Sequence, residues 1–374
     1  MNKILYVAST LKRCGPTSQL YNIVKNLDRS CFDPIVVTLS PEPADSYWND
    51  FKKLGIEVES LNLSRFKGTL FLKNNLQSMV KRIRPQVLHT QGIRADVLSS
   101  KMDYSLPKVA TIRNFIQLDY PMTYGRSLGY LMAKQHIKAL EKVDLCVGVS
   151  NAVVQNIREN TTIKNLAVIR NGVDQDLYHS RMSCEKNLFK KKLGFYGTEN
   201  IWICSGHISS RKNPLELINA WKASEMGKKN TLVFLGSGEL ERECLDLISD
   251  CNSIQMAGRV RNVSDYLKAA DYYVSSSKAE GMPNAVLEAM ACGLPVLLSD
   301  IEPHQEILSL NHKIGVGYKL GSQNNLVKAL HEMAIRNRNE MSMASLETVD
   351  NFLSAKAMSS QYQERYFEVV ESVE

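Results

Sequence analysis

Nothing in the 374-residue chain approaches ~18 uninterrupted apolar residues, so no segment reads as a membrane-spanning helix. The apolar run at the start, Ile4-Leu5-Tyr6-Val7-Ala8, is five residues long, short of the ~7 that a signal-peptide core needs, and reads as a buried first strand. None of the eight cysteines (Cys14, Cys31, Cys146, Cys184, Cys204, Cys244, Cys251 and Cys292) lies in a CxxC pair, and several sit inside apolar runs. Reduced thiols in a cytosolic protein are therefore expected. The seven histidines are scattered, with no HxH or HExxH spacing, which speaks against a metal site built by the protein. Aromatics are thin at 7%, and neither half contains GxGxxG, which disfavours a dinucleotide oxidoreductase.

What is present is an ordinary globular composition, 44% hydrophobic and 23% charged, at a length that suggests two domains. The net charge of +7 is unevenly spread. Residues 1–170 carry 24 basic and 13 acidic side chains, whereas 171–374 carry 22 and 26. Between Glu59 and Asp96 there is no acid, while Arg65, Lys67, Lys73, Lys81, Arg82, Arg84 and Arg94 are all basic. Such a run suits a solvated helix face or an anionic surface such as lipid headgroups or a diphosphate. Nucleic acid fits poorly, because no helix-turn-helix, RNA-binding aromatic motif or zinc finger accompanies the charge.

Along the first half, short apolar runs at 3–9, 34–39, 56–61, 86–90, 108–112 and 144–149 alternate with amphipathic stretches at 16–27, 46–54, 70–83, 94–102, 127–142 and 150–158. This alternation predicts βα units around a parallel sheet. The pattern breaks near Arg170-Asn171-Gly172-Val173-Asp174, a turn signal, and a polar, Lys-rich stretch follows over 179–199. Alternation then restarts, with strands predicted at 201–205, 231–235, 253–257, 271–276, 295–299 and 314–318. Helices are predicted at 213–223, 239–250, 263–269, 284–291 and 303–309, and 322–371 reads as mostly helical. Two α/β halves with a cleft between them are expected, with ligands beyond the carboxyl ends of the strands.

The most informative segment runs from Ser275 to Val296 and reads strand, loop, helix, turn, strand. Glu280-Gly281-Met282-Pro283-Asn284 precedes a helix that carries Glu288, and Ala291-Cys292-Gly293-Leu294-Pro295 ends it. Pro283 suits a first helical turn, and the free N–H groups of that end favour a phosphate. Two carboxylates beside such a site are better used to accept hydrogen bonds from hydroxyls. This segment resembles the donor-site signature of the family-4 retaining glycosyltransferases, which have the GT-B fold: two Rossmann-like domains with parallel sheets facing a central cleft.

The resemblance implies that Glu280 holds the transferred sugar and Glu288 the ribose of the nucleotide. Backbone donors for the diphosphate and sugar would be Gly281, Met282 and Asn284. It puts Lys212, in Ser205-Gly206-His207-Ile208-Ser209-Ser210-Arg211-Lys212, on the donor diphosphate, where a cation stabilises the leaving group as its charge grows. His207 stands where the family usually has Arg, and Arg211 is the nearby substitute. Gly236 is expected to allow close backbone approach near the nucleotide, and Val260 to sit at the base-pairing position, with Arg259 beside it. Asp271 is expected to cap a local turn.

The first half matches less closely. The family's Gly-Gly loop reads Arg13-Cys14-Gly15-Pro16-Thr17 here, leaving Gly15 and Thr17 to reach a phosphate or the acceptor. His89 at a strand's carboxyl end and Arg113 after the next strand complete the acceptor-side candidates. The resemblance implies a first domain over 1–170, a second over 171–355 and a final helix within 356–374 that packs back on the first. The expected activity is retaining, metal-independent hexosyl transfer from a nucleoside-diphosphate sugar, with UDP-sugar the expected donor, to a glycan or lipid-linked acceptor. No cofactor beyond the substrate is expected. The setting would be bacterial surface polysaccharide synthesis, such as lipopolysaccharide or capsule, by a cytoplasmic enzyme peripheral to the membrane. Two other readings are a GT-B sugar-nucleotide epimerase and a non-catalytic sugar-nucleotide-binding subunit.

Overall fold

Each apolar run becomes a strand, the central ones buried on both faces and the edge strands only partly covered, and the named strands all pair in parallel. The computed structural model describes residues 1–63, 68–102, 106–180, 183–196 and 200–372, with the side chains of 68–70 and 183–184 left undescribed. Arg65 and Lys67 of the basic run lie outside the described residues. The chain divides into two units, one formed by Met1–Gly172 with Ala355–Glu374 and the other by Val173–Ser354.

The first unit holds seven strands: β1 (Asn2–Ala8), β2 (Phe32–Thr38), β3 (Glu57–Ser60), β4 (Val87–Gln91), β5 (Lys108–Ile112), β6 (Leu145–Gly148) and β7 (Leu166–Val168), in the order β3-β2-β1-β4-β5-β6-β7. Helices Gly68–Ile83 and Ile93–Ser99 bury Leu76, Val80, Ala95 and Leu98 on one face. On the other face, helix Ala355–Glu371 packs along helix Gly15–Lys25, with Tyr362 and Tyr366 in the core. The second unit holds β8 (Asn200–Ser205), β9 (Asn230–Leu235), β10 (Ile254–Met256), β11 (Tyr272–Ser275), β12 (Val296–Ser299) and β13 (Gly315–Tyr318), in the order β10-β9-β8-β11-β12-β13. Its core is centred on Trp202, which stacks on Tyr272 at 4.2 Å between ring centroids.

Two helices arise where sequence periodicity is silent. Ile116–Tyr124 forms despite an internal Pro121. Ser183–Lys192 lies within the stretch read as a polar connection. Its Lys186 and Lys190 reach buried Asp271 at 2.8 and 2.9 Å, and Arg338 reaches the same carboxylate at 2.8 Å. Asp271 also accepts from Ile201 N at 2.9 Å. It is thus the hub of an ion cluster rather than a turn cap. The surrounding cations outweigh the effect of burial and hold its carboxyl below the usual range.

Candidate functional site

In the second unit the strand order reverses between β8 and β11, which are neighbours in the sheet. At such a reversal the two following loops diverge and leave a crevice beyond the strand ends. The loop after β8 carries Arg211 and Lys212, and the loop after β11 carries Glu280. They are tied together by the backbone: Lys278 N donates to Arg211 O at 2.7 Å, and Ser276 Oγ lies 3.0 Å from both Lys212 O and Asn213 O. Asn213 adopts left-handed backbone (φ 55), which its short polar side chain tolerates, and so starts helix Pro214–Ala223 directly after Lys212. Gly206 is required at the end of β8. Its φ is +142, and a Cβ there would lie 2.9 Å from Lys212 Cε, so its absence lets the lysine fold back over the strand.

Lys212 Nζ lies 2.7 Å from Glu280 Oε1, with Arg211 Nη1 3.6 Å from Oε2. Ser277 Oγ donates to Oε1 at 2.9 Å. Glu280 is only 6% exposed. Burial alone would raise its pKa, but the Lys212 and Arg211 charges and the two hydrogen bonds hold it below the usual value, ionised at neutral pH. Glu288, about one turn into helix Asn284–Ala291, behaves in the opposite way. Burial lifts its carboxyl to about 7, although the Lys212 charge and a hydrogen bond from Tyr178 pull it down. The two carboxylates are therefore in different protonation regimes near the same lysine. Helix Asn284–Ala291 begins after Pro283 with no side-chain cap and no acid in its first turn.

A further residue borders this pair. His304, in helix Glu302–Leu310, is fully buried. Ser299 Oγ donates to Ser277 O at 2.6 Å, so its oxygen accepts from His304 Nδ1 at 2.9 Å. That network assigns the proton to Nδ1 and leaves Nε2 as a buried acceptor without a partner among the described residues. Burial pushes its pKa down to about 4, Glu280 opposing and Lys212 adding to the shift, so the ring is neutral.

Two family models match the chain in succession. The Glycosyltransferase Family 4 model covers 15–177, and the model for Glycosyl transferases group 1 covers 185–345. The chain belongs to this glycosyltransferase family. Among its relatives, the capsular polysaccharide biosynthesis glycosyltransferase CapH of Staphylococcus aureus is 23% identical over 321 residues, covering 82% of this chain and 84% of the relative. A UDP-Gal:alpha-D-GlcNAc-diphosphoundecaprenol alpha-1,3-galactosyltransferase of Escherichia coli is 31% identical over 143 residues, 36% of this chain and 37% of that protein. An uncharacterised glycosyltransferase of Methanocaldococcus jannaschii is matched over 28% of its length. The chain thus spans about a third of the length of those last two relatives. Anabaena HepE, solved in complex with UDP and glucose, superposes with a TM-score of 0.80 over 98% of this chain and 99% of its own, at 18% identity. At that identity the likeness speaks for the fold, which is GT-B.

In this chain the loops after β8, β9 and β10 are stitched by their backbones. Gly206 N donates to Leu235 O at 2.9 Å and Gly236 N to Gly258 O at 2.8 Å. The close approach expected at Gly236 is to Gly206, whose carbonyl oxygen would lie 1.8 Å from a Cβ there. Gly281 and Met282 are buried, Asn284 and Val260 half-buried, and Arg259 exposed. His207 is not brought to the lysine. It faces Glu239, with Nε2 3.1 Å from Oε2, both side chains in solvent. Arg211, not His207, is the second cation that the structure places beside Glu280, after Lys212.

The first unit requires a correction. His89 is fully buried, with Nδ1 2.7 Å from Tyr366 OH and Nε2 2.8 Å from Thr111 Oγ1. Both ring nitrogens are occupied, and burial with the Arg113 charge lowers its pKa to about 3. It is a neutral core histidine joining the sheet to the last helix, not an acceptor ligand. Arg113 donates from Nη1 to Asn171 Oδ1 at 2.8 Å and from Nη2 to Gln91 Oε1 at 3.3 Å, leaving Nε buried without a partner among the described residues. Gly15 opens helix Gly15–Lys25, which has no side-chain cap, and buried Thr17 contacts the Cys14 thiol at 3.2 Å. Nor is the basic run unopposed in space: Arg82 pairs with Glu59 at 2.6 Å, and Arg94 donates to Ser40 Oγ and Leu63 O.

Proposed function

We infer that the chain transfers a sugar from a nucleoside diphosphate, UDP first among them, to a lipid-linked or glycan acceptor, with retention at the anomeric carbon. The observation that carries this reading is the Lys212–Glu280 pair with Glu288 beyond the β8/β11 reversal. Lys212, helped by Arg211, neutralises the diphosphate. Glu280 and Glu288 take the hydroxyls of the sugar and the ribose, and the uncapped start of helix Asn284–Ala291 faces phosphate oxygens with positive dipole charge. As the bond from the anomeric carbon to the phosphate oxygen breaks, negative charge gathers on the departing diphosphate. Cations already fixed there stabilise that state more than the ground state. The acceptor oxygen attacks the anomeric carbon on the same face, and its proton passes to the leaving phosphate oxygen, so no protein nucleophile is used.

UDP is favoured because the HepE structure holds UDP and the E. coli relative is named for UDP-Gal. A lipid-linked acceptor is favoured because that relative and one from Campylobacter jejuni are named for diphospho-undecaprenol substrates. Arg113, Gly15 and Thr17 are the acceptor-side groups, with Arg113 suited to an anion. The proposed chemistry draws its positive charge from side chains and a helix end, so no metal takes part. The test is incubation of the protein with UDP-sugars and undecaprenyl-diphosphate-linked acceptors, reading released UDP and the anomeric configuration of the product. Release of UDP with an α-linked product from an α-donor supports the reading. Interconversion of sugar nucleotides without UDP release would replace it with epimerisation.

A further inference from the structure

Six large apolar side chains stand in solvent within one short stretch of the first unit: Leu118, Met122, Tyr124, Leu128, Tyr130 and Leu131, each between 49% and 69% exposed. They belong to helices Ile116–Tyr124 and Arg126–Leu140, which are joined only by Gly125. The two helices pack through their other faces, with Ile116 and Tyr120 buried on the first and Gly129, Ala133, His136 and Leu140 on the second. Gly129 is required at that crossing, since a Cβ would lie 2.4 Å from the Tyr120 carbonyl group. Leu118 and Met122 are four residues apart and opposite Tyr120, and Leu131 is opposite the Gly129–Ala133 seam. Leu118, Met122, Leu128 and Leu131 therefore belong to the outward side of the hairpin, and Tyr124 stands at its edge, its ring edge-on to that of Tyr120 at 6.2 Å.

The hairpin is tied to the sheet by buried hydrogen bonds. His136 Nε2 lies 2.7 Å from Asp96 Oδ2, Tyr120 OH lies 2.8 Å from His136 Nδ1, and Thr90 Oγ1 donates to Asp96 Oδ1 at 2.5 Å. This buried chain ties both helices to β4 and to helix Ile93–Ser99. Its cost is understandable if the outer face must present a defined surface.

Within the two helices the exposed charges are positive, with exposed Glu141 just past the end of the second. Arg126, Lys134 and Lys138 are exposed, and the one acid of the two helices, Asp119, accepts from Phe115 N at 3.0 Å. We propose that this hairpin docks the protein on an anionic lipid bilayer, with the leucines, Met122 and the tyrosines entering the headgroup boundary and Arg126, Lys134 and Lys138 meeting lipid phosphates. Apolar residues flanked by cations, with tyrosines between, match the interfacial region of a membrane. A second copy fits less well, because a two-fold contact sets each subunit's lysines against the other's.

The test is co-sedimentation of the full chain with phosphatidylglycerol-containing vesicles and with pure phosphatidylcholine vesicles, at low and high salt. Three variants are run beside it: Leu128→Ser with Leu131→Ser, Lys134→Gln with Lys138→Gln, and Lys73→Gln with Lys81→Gln and Arg84→Gln. Thermal unfolding and UDP binding of every variant confirm an intact fold, and a loss of membrane binding with UDP binding retained separates this proposal from the donor-site reading. The parent should pellet with the anionic vesicles and be released by salt. The leucine pair should lose at least ~10-fold in partition, the scale of one buried leucine, and the hairpin lysines should lose more than the 73–84 set. Equal pelleting of the parent and the leucine variant overturns the proposal. So does a parent that ignores anionic vesicles, including one found by ultracentrifugation as a dimer that the leucine variant splits.

Discussion

Lys212 is held by a carboxylate it must share. Its ammonium is compensated by Glu280 at 2.7 Å, and a diphosphate would turn that pair into a triad. Lys212→Ala is expected to lower turnover by at least ~10²-fold, the scale of one strong transition-state contact, with the melting temperature showing that the fold persists. Glu288 gives a pH signature. Its carboxyl, lifted to about 7 from an ordinary 4.5, is largely protonated below pH 7 in the free protein. Ribose hydroxyls donate to the ionised form, so nucleotide affinity should rise between pH 6 and 8, with proton release on binding at pH 7. Titration calorimetry in buffers of different ionisation enthalpy measures both, and Glu288→Gln should flatten the pH dependence. Because the folded value is raised, the unfolded chain gives up this proton first, and the group's contribution to stability falls as pH rises from 4.5 to 7.

Residues in a spaced motif were legible in the sequence: Glu280, Glu288 and Lys212 sit at loop and helix positions that the strand–loop–helix pattern predicts. His304 was not, because it lies inside helix Glu302–Leu310, five residues past the end of β12, where no motif pointed to it. His89, singled out by its place at a strand end, has both ring nitrogens taken by core partners.

At the scale of elements, the strands were readable because parallel strands buried on both faces leave nearly continuous apolar runs. The helices that escaped notice lack the usual stripe. Ile116–Tyr124 carries apolar residues all round and a proline, because one side packs and the other is exposed. Ser183–Lys192 is mostly polar because ion pairs, not apolar contacts, dock it. Asp271→Asn should therefore free that helix and cost about 3 kcal/mol, the lower end for breaking a buried ion pair since its cations keep partial access to water. Denaturant unfolding checks the magnitude. Because the Asp271 pKa is depressed in the folded state, its stabilisation is fully present above the ordinary value of 3.8 and is lost as pH falls through the folded one, so parent and variant should converge in acid. Gly206→Ala, strained at φ +142 and crowding Lys212, should destabilise by about 1 kcal/mol and lower turnover together.

For the whole molecule, both sheets reverse their strand order once, at β1/β4 and at β8/β11, and the second reversal carries the charged constellation. The order of strands is not written in any local pattern. It follows from long-range pairing, which is why the sequence supplied the units of the fold more readily than their arrangement. The proposed chemistry assigns every positive charge at the diphosphate to a side chain or helix end, so turnover should survive excess EDTA. The most direct test of the central claim is calorimetric titration of UDP into the full chain, its Lys212→Ala variant and its Glu288→Ala variant. Saturable binding is expected of the parent, weakened at least ~10-fold by either change, the scale of a lost charge-assisted contact. Equal affinity in all three proteins, or no binding of any nucleoside diphosphate by the parent, would contradict it.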